Sequence, residues 1–228
     1  MEQEKIWDYL QNEGLHEGAF SDCRQRYMVK KLHPGKRVLN IGVGAGGLER
    51  HAILKEVDIH ALDPSEKSIE RLRKELGLGE RAKAGYAQEI PFPGDYFDVV
   101  VMSEVLEHLS DDVLRDALHE VLRVLRPGGV LLASTPYMEN LLAKRVVCPG
   151  CGAVFHKIGH VQSFDKPAMT RLLIKSGFQI NRIWVTTFID WKKRGIFSLV
   201  KSIIRLVLAR MGEPLADPHL LVLAKKAC

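Results

Sequence analysis

The chain is poor in aromatic residues and in cysteine, it has no long uninterrupted apolar run, and neither sign of charge is in large excess. Aromatics make up 7% of its 228 residues and there are four cysteines, Cys23, Cys148, Cys151 and Cys228. Four thiols in a chain of this length do not form a disulfide scaffold, and a hydrophobic content of 46% supplies the core that such scaffolds replace. The first residues, MEQEKIWDYLQNEG, lack the apolar run behind a basic start that marks a secretory leader, so a cytoplasmic protein is expected. A net charge of +5 with a pI near 9.0 is mild and scattered, which argues against nucleic acid as the partner. Internal repeats and low-complexity tracts are absent, and one domain over 1–228 is expected.

Glycine, by contrast, is concentrated where it carries information. Val38 to Arg50, VLNIGVGAGGLER, reads as a buried strand running into a glycine turn and then a helix. Gly42, Gly44, Gly46 and Gly47 permit left-handed backbone and let a ligand lie against bare main chain. The helix after them directs free N–H groups at whatever polar group sits there. Taken alone, the turn also fits a dinucleotide cofactor, because Gly42, Gly44 and Gly47 satisfy that spacing.

The following segments alternate strand and helix. Val57 to Leu62 predicts a second strand ending in Asp63 and Pro64, about 20 positions past the turn, where a carboxylate suits two ribose hydroxyls. The competing role for Asp63 is to cap the helix that opens at Ser65. Arg81 to Ala84 predicts a short third strand, and Phe97 to Met102 a central strand buried on both faces. Asp111 to Leu125 predicts an amphipathic helix stopped by Pro127, Gly128 and Gly129, with a fifth strand over Val130 to Ser134. Asp165 to Ser176 predicts another helix, and Phe178 to Phe188 and His219 to Lys225 the last strands.

In this order the segments resemble the class I S-adenosylmethionine (SAM)-dependent methyltransferases over about Arg37 to Thr135. The resemblance is carried by VLNIGVGAGG, HALDPS, GYAQEIPFPGDYFDVV, VVVMSEVLEHL and LRPGGVLLAST. It implies a doubly wound, seven-stranded, mostly parallel α/β sheet whose last strand is antiparallel. It also implies SAM as cofactor, with Asn40, Gly42, Gly44, Gly46, Asp63, Pro64, Ala87, Gln88, Glu89 and Ser103 around it. Asn40 stands where the family usually has Asp or Glu, and an amide brings no charge to offset the cofactor's ammonium group. The expected reaction is methyl transfer to a small or lipid-like acceptor at oxygen, with His108 as base and Glu104 positioning the substrate. An RNA methyltransferase and a non-catalytic SAM-binding module are the alternatives.

Two constellations compete for His160. Cys148, Cys151, His156 and His160 have the spacing C-x2-C-x4-H-x3-H, which resembles a zinc knuckle inserted at 145–162 and suits a closed, structural tetrahedral site. Glu104, Glu107 and His108 share one face if the segment is helical, and with His160 they resemble the magnesium- or manganese-binding set of metal-dependent O-methyltransferases. The knuckle is expected to take His160, because little chain has to close.

The ends of the chain add two appendages. Residues 1–33 predict two helices that serve as a packing cap, while the resemblance implies a segment that covers the cofactor with Arg24, Arg26 or Tyr27 facing substrate. Within 190–213, the stretch Trp191 to Met211 contains six Lys and Arg residues and no acid, with an apolar face. It is too interrupted by charge to span a bilayer, and it suits either a membrane surface or packing on its own domain.

Overall fold

In a computed structural model, the protein is described over residues 5–7, 9, 19–189, 196–213 and 216–227, the side chains of 19–21 and 196–199 excepted. The sheet is built from β1 (Arg37–Ile41), β2 (Asp58–Asp63), β3 (Ala82–Ala84), β4 (Phe97–Ser103), β5 (Leu125–Pro136), β8 (Phe178–Thr186) and β9 (His219–Lys226). Its strand order is β3-β2-β1-β4-β5-β9-β8. Pairing is parallel from β3 through β5, and β9 runs antiparallel to both β5 and β8. Helices α1 (Ala19–Val29), α2 (Gly47–Ile53), α3 (Glu66–Leu76), α4 (Asp111–Val124), α5 (Lys166–Lys175) and α6 (Ile196–Arg210) accompany it. This is the expected architecture.

Continuous apolar runs became central strands because both of their faces are covered. Along β4, Val100 and Met102 join one core with Leu39, Leu131 and α4, while Val101 joins the other with Val38, Leu132 and Leu221. Each such fully buried side chain contributes about 1.5–3 kcal/mol. Ser65 caps α3 by accepting from the Ser68 N–H, and Asp165 caps α5 by accepting from the Ala168 N–H.

One boundary moved. α4 ends at Val124 and β5 begins at Leu125, five residues before the predicted Val130. Leu125 pairs with Phe97 and Val130 with Val99, so Arg126 to Gly129 form a bulge within the strand instead of a loop before it. Pro127 has no N–H for the ladder and Gly128 takes a left-handed φ of 75°, which suits a bulge.

The insertion at 145–162 forms a small hairpin of β6 (Arg145–Val147) and β7 (Val154–His156). Its tip is the Cys148 to Ala153 turn, closed by Cys148 N–H to the Ala153 carbonyl at 2.8 Å. Of the N-terminal cap, most of the first predicted helix lies outside the described residues, and α1 is the second. Among the described residues, no helix is long and apolar enough to cross a membrane.

Candidate active site

The strand order reverses direction between β1 and β4, and a cleft of about 850 Å³ opens there beyond the carboxyl ends of the strands. Asn40, Gly42, Gly44, Asp63, Pro64, Ala87, Gln88 and Ser103, eight of the ten residues expected around the cofactor, line it. Gly46 and Glu89 do not. Gly46 instead precedes α2 with its α-carbon packed toward Leu72, and Glu89 is an exposed residue of the following turn. Gly44, at φ 53°, has open space where a β-carbon would stand, so the main chain is bare toward a ligand.

Asp63 is buried and holds the turn in place. Its Oδ2 accepts from the Val43 N–H and its Oδ1 from the Ser65 N–H, both at 2.9 Å, while the cap of α3 is Ser65. Asn40 is also buried, and its Nδ2 donates to Glu49 Oε1 at 2.7 Å and to the Gly42 carbonyl at 3.4 Å. Glu49, on α2, is fully buried, and burial pushes its carboxyl up to about 7 despite the Asn40 hydrogen bond.

Beyond β4 the chain departs from expectation. Glu104, Glu107 and His108 do not share a helical face, because Glu104 takes a left-handed step (φ 58°) and only Leu106 to His108 form a short 3-10 turn. Glu104 therefore turns toward the sheet. It accepts from Ser134 Oγ at 2.8 Å and pairs with Nε2 of His219 on β9 at 3.2 Å. Against the cost of burial, the charges of His219 and Arg24 and these hydrogen bonds hold Glu104 down at about 2. Glu104 in turn raises His219, overcoming that residue's own burial, so the two form an ion pair in the cleft wall.

Glu107 and His108 face the other way and meet His160. Ligand atoms of these three lie within 4.8 Å of one another. The loop is clamped there because the Glu107 carbonyl accepts from the N–H groups of Val161 and Gln162. Nδ1 of His108 donates to the Gly159 carbonyl at 3.3 Å, and Nδ1 of His160 donates to Glu139. In a neutral ring with Nδ1 donating, Nε2 is the atom with the free lone pair, the orientation that metal-binding histidines adopt. Glu107 is buried, and that burial together with the charge of Glu104 raises its carboxyl well above the usual range. His108 is lowered to about 4 by burial and by the neighbouring His160, so its imidazole is neutral near pH 7.

The four residues of the expected knuckle are not gathered. His156 and His160 stack, with ring centres 4.8 Å apart, but they group with Glu139 and not with the cysteines. The cysteines sit at the tip of the hairpin and His156 at its base. Neither cysteine belongs to a group of three candidate ligands whose atoms lie within 4.8 Å of one another among the described residues. Nδ1 of His156 also accepts from the His160 N–H at 3.0 Å, which places the proton of a neutral ring on Nε2 and removes that atom as a ligand.

Of the three cap residues, Arg24 lines the cleft, whereas Arg26 pairs with Asp22 and Tyr27 accepts from Trp184 Nε1. Trp7 covers His108 edge-on at 5.0 Å. Sequence reasoning missed Glu49, Glu139 and His219. Glu139 is held at about 2, against its burial, by hydrogen bonds from His160 and Lys144. No local motif marks these positions; their partners are 9, 21 and 115 residues away in the chain.

Comparison with known proteins agrees with this geometry. The family described as "Methyltransferase domain" matches residues 16–183. A ubiquinone/menaquinone biosynthesis C-methyltransferase of Vibrio parahaemolyticus is 34% identical over 121 residues, covering 47% of this chain and 45% of that protein. A ubiquinone biosynthesis O-methyltransferase of Rhizobium etli is 34% identical over 104 residues, covering 44% and 41% respectively. The chain thus aligns with less than half the length of these curated relatives. In fold it is similar to the Burkholderia thailandensis 1,6-didemethyltoxoflavin-N1-methyltransferase, solved with S-adenosylhomocysteine. The TM-score is 0.67 at 15% identity, over 99% of this chain and 87% of that one. With a match over most of its length and the strand order that sets the glycine turn against Asp63, the chain belongs to the methyltransferase-domain family, the SAM-dependent class that its sequence resembles.

Proposed function

We propose that the protein transfers the methyl group of SAM to a hydroxyl oxygen of a small polar acceptor, and that Glu107, His108 and His160 hold a divalent cation beside that acceptor. One observation carries the reading. Ligand atoms of His108, His160 and the buried Glu107 lie within 4.8 Å of one another, and the two histidines line the same cleft as the glycine turn and Asp63. The donor set of two imidazoles and one carboxylate suits magnesium, manganese or zinc, and metal analysis identifies which.

SAM supplies an electrophilic methyl on a sulfonium, and a cation here would act as a Lewis acid that favours the ionised hydroxyl. The protein's own residues supply position and polarity. Asp63 fixes the turn that receives the cofactor, and Trp7 covers His108 against water. With an imidazole held neutral down to about pH 4, His108 is a weak base and a good ligand, which favours metal binding over proton abstraction as its role. The Glu104–His219 pair and Arg24 line the acceptor end with charge, which favours a polar acceptor over an alkyl chain.

The test is manganese titration of chelator-treated protein, followed by a methyl-transfer screen over phenols, catechols and hydroxyquinones. Manganese binding lost in His108→Ala, with S-adenosylhomocysteine affinity unchanged, is the expected result. Full methyl transfer after chelation would remove the cation from the reaction.

A second feature bears on where the acceptor is met. On α6, Val200, Ile203, Ile204 and Val207 are all about half exposed and recur at helical spacing as one stripe. With the basic residues of 191–211, this favours contact with an anionic membrane surface and an acceptor carrying an apolar tail outside the cleft, as the quinone-biosynthesis names of the relatives also suggest. Co-flotation with anionic but not neutral vesicles, lost in Ile203→Ser with Ile204→Ser, tests it.

A further inference from the structure

We infer that Glu49 is the carboxylate of the cofactor's ammonium subsite and acts through Asn40, whose amide it orients so that the carbonyl oxygen is the end without a protein partner. The inference rests on the placement of SAM along the glycine turn and concerns a residue that does not itself line the cleft.

Four observations carry it. Asn40 lines the cleft at the end of β1, two residues before Gly42, where an acid would offset an ammonium group. Its Nδ2 is used up by two acceptors on the protein side, Glu49 Oε1 at 2.7 Å and the Gly42 carbonyl at 3.4 Å. That pair of acceptors fixes which end of the amide is which, so the oxygen is the end left over. Asn40 Oδ1 and Glu49 Oε2 are both buried with no hydrogen-bond partner among the described residues. Buried polar atoms of this kind are rare, and an ammonium group of the cofactor at Asn40 Oδ1 would satisfy the first of them, while Glu49 Oε2 keeps its charge on the protein side of that amide.

Glu49 is not explained by packing. It is fully buried on α2, where an apolar residue would serve the core, and Asn40 is the one side chain that donates to it among the described residues. A carboxylate behind a polarised amide brings negative charge to the subsite without touching the ligand. The charge that Asn40 lacks is thus displaced by one residue rather than lost. Glu49 is a positioning residue in this scheme, not a catalytic one.

The experiment compares two ligands by calorimetry at pH 8. S-Adenosylhomocysteine carries the ammonium group, and 5′-methylthioadenosine has the same nucleoside and sulfur without it. Glu49→Gln keeps an acceptor for Asn40 and removes the charge, so S-adenosylhomocysteine should bind roughly tenfold more weakly while 5′-methylthioadenosine is unaffected. The double change Asn40→Asp with Glu49→Gln moves the charge to the cleft wall and should restore S-adenosylhomocysteine to within roughly threefold of wild type. Equal losses for both ligands, or no loss for either, would overturn the inference and leave SAM binding intact. Wild-type protein that binds neither ligand would overturn the placement of the cofactor, and the inference with it.

Discussion

Glu49→Gln also tests the energetics of the site without any ligand. In the folded protein the Glu49 carboxyl is raised from 4.5 to about 7, first by burial and then by the charge of Asp63 at the end of β2. The Asn40 hydrogen bond and Arg50, on its own helix, pull in the opposite direction. A raised carboxyl binds its proton more tightly folded than unfolded, so between these two values the native state holds more protons and stability falls as pH rises. The loss sets in above the unfolded value and is complete a little above pH 7. A shift of this size corresponds to about 3 kcal/mol. Glutamine cannot ionise and removes the slope. Urea denaturation of wild type and variant at pH 5, 6, 7 and 8, followed by tryptophan fluorescence, should show the stability of the variant relative to wild type rising by about 3 kcal/mol from pH 5 to pH 8. Near the midpoint that is a gain of roughly 6–12 °C in Tm. A difference that is the same at all four pH values would refute the burial argument, since Glu49 would then ionise as it does in the unfolded chain.

Asp63→Ala strips acceptors from the buried Val43 N–H, at about 1–3 kcal/mol, and from the half-buried Ser65 N–H, so it should lower the urea midpoint as well as weaken S-adenosylhomocysteine. His160→Ala should abolish manganese binding, measured by electron paramagnetic resonance, and leave S-adenosylhomocysteine affinity within about twofold of wild type. Cys148→Ser with Cys151→Ser should change neither metal content nor melting temperature by mass analysis and calorimetry, since the pair sits at an exposed hairpin tip apart from the histidines. Glu104→Gln leaves the His219 imidazolium without its counter-charge in a buried wall, a cost of roughly 3–5 kcal/mol, which chemical denaturation at pH 6 should register.

The succession of strands and helices, the glycine turn and the positions of Asp63 and Ser103 at strand ends were legible along the chain because each depends on neighbours a few residues apart, whereas the sheet they form was implied by the resemblance. Apolar runs mark strands buried on both faces, Ser65 and Asp165 mark helix starts, and a left-handed turn demands glycine at Gly42 and Gly44. Of the candidate metal ligands, Glu107, His108 and His160 were legible as part of one of two competing sets, and the structure groups these three without Glu104. C-x2-C-x4-H-x3-H describes a compact loop only if the chain between the pairs is irregular, and here it pairs as β6 and β7, which carries the cysteines away from the histidines.

EVLEH describes one helical face only if the helix begins at Glu104, and the left-handed step there turns Glu104 to His219 and leaves Glu107 and His108 with His160. Glu49 meets Asn40 because α2 doubles back over β1, Glu139 meets His160 because the hairpin folds back, and His219 meets Glu104 because β9 enters the sheet beside β5. Local sequence determines which backbone conformations are affordable. Which charged side chains share a buried wall is decided by packing of distant elements, where the cost of an unpaired charge selects the partners.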